Sequence, residues 1–181
     1  MTPSPHDAPQ ATHPATRCAL AMLDQCAAML TDLPDACYTA PSNRMLGSTI
    51  GQHVRHALDH FSATLAGADG AVIDNDHRER DTPLERSRTA ALDTIAAITA
   101  ALAGLDHADA DRAVSVRVML SADGAEAELR STLARELAFA AHHAVHHHAM
   151  VASIALERGA ALPPGFGKAP STLHHERADR P

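Results

Sequence analysis

From Ser131 to Arg158 the chain runs as one segment of helical periodicity, closed by Gly159 and then by Pro163 and Pro164. His143, His147, Met150 and Ile154 fall on one face of it, so imidazoles and core side chains share a stripe. A long helix with such a face needs other helices to cover it, and three more amphipathic segments are present. Leu20, Leu23, Ala27 and Leu30 recur at helical spacing between Pro14 and Leu30, before Leu33-Pro34-Asp35 breaks the pattern. Ile50, Val54, Ala57, Phe61 and Leu65 form the stripe of a second helix, which opens on the capping box Thr49-Ile50-Gly51-Gln52 and ends near Gly67. Thr82-Pro83-Leu84-Glu85 predicts the start of a third, with Thr82 as N-cap, and Leu92, Ile95, Ala96, Ile98 and Leu102 carry it to about Leu105.

Between the third and fourth helices the period changes to two. Val114, Val116, Val118 and Leu120 alternate, Ser121-Ala122-Asp123-Gly124 signals a turn, and residues 125–129 supply a returning strand. The expected fold is all-α, a four-helix bundle with a small β-hairpin insert between helices 3 and 4. Residues 1–13 read as a disordered arm, 14–172 as the bundle with Phe166 anchoring its end, and 173–181 as a flexible tail. The polar stretch from Asp69 to Asp81 reads as a solvated charged connection.

Composition narrows the function. A formal charge of −7 and an aromatic content of 2% disfavour a polyanion-binding surface or a base-stacking platform, so no nucleic-acid partner and no membrane partner is expected. No apolar run is long enough to span a bilayer, and the N-terminus lacks the basic and apolar regions of a secretory signal. Cys18 and Cys26 lie about 12 Å apart along one helix, too far to bridge, and with Cys37 they read as small thiols of a reducing compartment. A cytoplasmic location is expected. The alanine-rich helix faces permit a homodimer.

The composition departs from the ordinary in its fourteen histidines, eight of which lie in two helical clusters. His53, His56 and His60 sit on one side of the second helix, flanking its apolar stripe. His142, His143, His146, His147 and His148 crowd the fourth, where His142 and His148 read as its solvated face. His143 and His147 are one turn apart and can chelate one ion. A third imidazole from the second helix completes a three-His site with open positions, and neutral imidazole suits Zn, Ni, Cu or Fe(II).

The segments STIGQHVRHALDHF, STLARELAFAAHHAVHHHAM and LPPGFGKAPST resemble the DinB-like superfamily of metal-binding four-helix bundles, which includes YfiT-type thiol transferases and hydrolases. The resemblance runs from about residue 15 to 172. It places the metal ligands on His56, His143 and His147, with His53 and His60 as competitors for the ligand position on the second helix. It implies a divalent transition metal (Zn, Ni or Fe), a low-molecular-weight thiol as co-substrate and a small-molecule substrate. Such a site lowers the pKa of a bound thiol or water, so S-transfer and hydrolysis differ only in the nucleophile admitted. His60 or His53 is then the candidate catalytic base, and Asp59 is either a partner for an imidazole or an exposed carboxylate. The alternative is a non-catalytic metal-binding protein associated with stress.

Overall fold

The computed structural model describes residues 12–77 and 79–179; most of the expected N-terminal arm lies outside them. The described chain is mostly helical with a small three-stranded sheet. Four helices are long: α1 (Pro14–Asp32), α3 (Ile50–Ala68), α4 (Arg88–Ala103) and α5 (Leu133–Glu157). Two are short: α2 (Asp35–Thr39) and α6 (Pro170–Ala178). Helix α5 packs on α1 and α3, and α4 packs on the same two helices. None of the described helices is long and apolar enough to cross a membrane.

The helix starts follow side-chain capping. At α3 the box closes as the sequence predicts: Gln52 N–H donates to Thr49 Oγ1 at 3.2 Å, and Thr49 N–H donates to Gln52 Oε1 at 3.1 Å. At α4 the expectation is corrected. Pro83–Glu85 form a tight 3-10 turn in which Thr82 makes no cap bond, and the helix opens at Arg88 with Ser87 accepting Ala90 N–H at 3.1 Å. The reason lies with Glu85, whose carboxylate takes Asp81 N–H and Arg55 instead of closing a box on Thr82.

The hairpin is present as β2 (Ala113–Met119) and β3 (Glu126–Thr132), antiparallel with Val116 opposite Leu129. It is one strand larger than expected. Ile73–Asp74 form β1 within the charged connection and pair in parallel with β2, Ile73 opposite Val116. Ile73 is fully buried with Val114 and Val116, which fastens the sheet to the helices.

Small buried residues lie on both α3 and α5, which pack on each other. Ala57, Ala140, Ala141 and Ala144 are all buried, and the distance between two helices follows the size of the side chains at their contact. A second close approach pins α3 to the turn before α4: a Cβ on Gly51 would lie 2.1 Å from Glu85 O. At the other end, Phe166 is buried and stacks on His148, ring centroids 4.9 Å apart. His148 is therefore 3% exposed and belongs to the core, not to the solvated face the sequence suggests; His142 is exposed as expected.

Candidate metal centre

Helix α3 presents His53, His56 and His60 to α5, which presents His143 and His147. The spacings of three and four residues keep each set on one side of its helix, and the packing of α3 on α5 brings the two sets into touch. The Nε2 atoms of His56 and His143 are 2.9 Å apart, and those of His143 and His147 are 3.1 Å apart. His60 stacks obliquely on His143 with centroids 4.0 Å apart. One ring nitrogen from each of His56, His60 and His143 lies within 4.8 Å of the others, and among the described residues this is the one such group of three.

These separations suit a metal. With metal–nitrogen bonds of about 2.0–2.1 Å, neighbouring ligand nitrogens stand about 2.9 Å apart at a right angle and about 3.4 Å apart at the tetrahedral angle. The His56–His143 and His143–His147 distances match that range. Protons alone serve such a cluster poorly, because each imidazole nitrogen carries either one N–H or one in-plane lone pair. Burial, reinforced by the rings of His56, His143, His53 and His146, holds His147 far below its ordinary protonation range. Burial, with His146 adding to it, lowers His53 as well. His147 and His53 are therefore neutral near pH 7, the form that ligates a cation.

The remaining candidates fall into place around this cluster. His53 Nδ1 is 3.0 Å from His147 Nδ1, and its Nε2 is 2.9 Å from Ser48 Oγ. Asp59 pairs with Arg55, Nη1 to Oδ2 at 2.7 Å. His146 is exposed beside His147. A cavity of about 560 Å³ opens on His56, His60 and His143, within the range of small-molecule sites. Its apolar wall is Val116, Val118 and Leu129 of the sheet and Phe139 of α5. Phe139 and Leu129, large apolar side chains that line the cavity, are left 39% and 50% exposed. Arg135 lies over the Phe139 ring at 5.4 Å and reaches Glu136, a buried carboxylate that also accepts the Ser131 hydroxyl at 2.6 Å. A smaller cavity is lined by His53, His56 and His147, so His56 borders both cavities.

Sequence reasoning misses Ser48, Phe139 and Glu136. Phe139 and Glu136 stand one and two turns before His143, so their helical spacing was the available signal. Ser48 reaches the cluster only through His53 and leaves none.

The model of the DinB superfamily matches residues 19–151. The chain belongs to the DinB superfamily. The match covers most of α1, all of α3 and α4 and most of α5, and so all five histidines of the cluster. The chain is also 33% identical over 105 residues to FK506-binding protein 5 of Rhizopus delemar, a stretch covering 58% of this chain and 27% of that protein. The chain thus spans about a quarter of that relative's length. No solved structure matches the chain.

Proposed function

We propose that this DinB-superfamily chain is a metal-dependent enzyme, a thiol S-transferase or hydrolase acting on a small molecule, with α1, α3, α4 and α5 serving as a four-helix bundle around the site. The observation that carries the reading is the meeting of imidazoles beside a partly apolar cavity, where His143 Nε2 lies 2.9 Å from His56 Nε2 and 3.1 Å from His147 Nε2. In this reading those three side chains hold a divalent transition ion such as Zn, Ni or Fe. When bound, the ion lowers the pKa of a thiol or water at its open position. His60, buried beside His143 and lining the large cavity, is placed to accept the proton the nucleophile gives up. Val116, Leu129 and Phe139 hold the apolar part of the substrate away from water. His53 contacts His147 and lines the smaller cavity, so it stands behind the ligands rather than beside the substrate.

The test compares zinc-, nickel- and iron-loaded protein with metal-free protein. Each is assayed with cysteine plus an aryl halide and, separately, with a p-nitrophenyl ester. Turnover that requires metal and falls by 100-fold or more in His60→Ala, with metal content retained, is expected. Stoichiometric metal with no turnover in either assay contradicts the enzyme and leaves the non-catalytic metal-binding reading.

A further inference from the structure

Helix α3 opens just after a short loop whose last residues place Ser48 against His53. The Ser48 hydroxyl lies 2.7 Å from Met45 O, a group that can only accept, so its single proton is directed there. Ser48 Oγ is then an acceptor toward His53 Nε2 at 2.9 Å, and that nitrogen must carry the proton. A neutral imidazole has one N–H, which leaves His53 Nδ1 bare. Across 3.0 Å it therefore accepts from His147 Nδ1–H. His147 Nε2 in turn keeps its lone pair, and that is the nitrogen facing His143 Nε2 at 3.1 Å. With the chain reversed, His147 would present Nε2–H to the cluster and could not ligate.

We propose that Ser48 and His53 are positioning residues that fix the tautomer and ring angle of His147 through the order Met45 C=O, Ser48 hydroxyl, His53, His147. This rests on the metal reading above and assigns to the chain's own side chains the task of making one ligand competent.

The loop is built to hold its place. Ser42 Oγ donates to Glu157 Oε2 at 2.6 Å, and Asn43 N–H donates to Glu157 Oε1 at 3.1 Å. Glu157 lies on α5, the helix that bears His147, so the serine and the ligand share one frame. The loop closes on itself through Gly47 N–H to Ser42 O and Ser42 N–H to Ser48 O. To do so it holds Leu46 at a φ of 51°, a left-handed conformation that a leucine side chain rarely adopts, with the side chain fully exposed. That conformation persists because its surroundings dictate it.

The test measures zinc affinity of the full chain by competition with a chromophoric chelator, together with long-range ¹H–¹⁵N spectra of the zinc-loaded protein. In the wild type, His147 is expected to show protonated Nδ1 and metal-bound Nε2. His53→Leu removes the acceptor and should weaken zinc about 10- to 100-fold, as loss of a ligand's hydrogen-bond partner does elsewhere. His53→Asn, which offers an oxygen near the place of Nδ1, should stay within about threefold of wild type. Ser48→Ala, a small change that spares the helix, should weaken zinc and let the Nε2–H form of His147 appear in the metal-free protein. Zinc binding by His53→Leu as tight as wild type, or His147 protonated on Nε2 in the zinc form, overturns the relay. Failure of the wild type to bind zinc at all would instead overturn the metal reading on which the relay depends.

Discussion

Glu85→Ala is expected to lower the unfolding free energy by about 3 kcal/mol, the cost of stranding one member of a buried ion pair. Glu85 and Arg55 are 7% and 8% exposed, and Arg55 Nε lies 3.0 Å from Glu85 Oε1. The same carboxylate oxygen accepts Asp81 N–H at 3.1 Å, so the variant also leaves a backbone donor without its acceptor. Arg55 keeps Asp59 at 2.7 Å, which places the loss at the lower end of what breaking a buried pair costs. Glu85→Gln keeps an acceptor for Asp81 N–H and loses only the charge, so its loss should be clearly smaller. Urea unfolding of the three proteins checks this. A loss below about 1 kcal/mol in Glu85→Ala would show that the turn before α4 is not held to α3 by this pair.

The second large effect is a loss of stability in acid that comes from His148. Its ring is sandwiched into the core against Phe166, its Nδ1 has no hydrogen-bond partner among the described residues, and burial pushes its pKa down to about 4. Above pH 6.5 the imidazole is neutral in both the folded and the unfolded chain and contributes no pH dependence. Between pH 6.5 and 4 the unfolded chain takes up a proton that the folded chain refuses, so stability falls as pH falls. The full loss approaches about 3 kcal/mol and is complete below the folded value. His148→Phe retains a ring against Phe166 and removes the titration. Metal-free wild type should therefore lose about 2–3 kcal/mol more than this variant between pH 7.5 and pH 4.5. Equal losses in the two proteins would mean that His148 is protonated in the fold.

The long helices and their histidine faces were legible because both are local. A period of 3.6 residues and a capping box at Thr49 are written within a few positions of one another. The partners of these residues were not. The two-residue strand Ile73–Asp74 has no periodicity of its own and exists because β2 offers an open edge. His148 read as solvated because its covering ring, Phe166, arrives after a turn of the chain that no spacing predicts. Glu85 fits a capping box on paper, yet Arg55 of another helix claims its carboxylate. At the candidate metal centre, spacing selected the His143–His147 pair and narrowed α3 to three histidines. The contact that gives His53 its place, Ser48 Oγ at 2.9 Å, depends on a loop tied to the far end of α5.

Anomalous diffraction at the zinc edge, from crystals of the zinc-loaded chain, puts the central claim to its most direct trial. One strong peak is expected between α3 and α5, bonded to Nε2 of His143 and His147 and to an imidazole of α3, with His56 as the third ligand. A peak elsewhere, or no peak with these rings turned outward to water, would contradict the account.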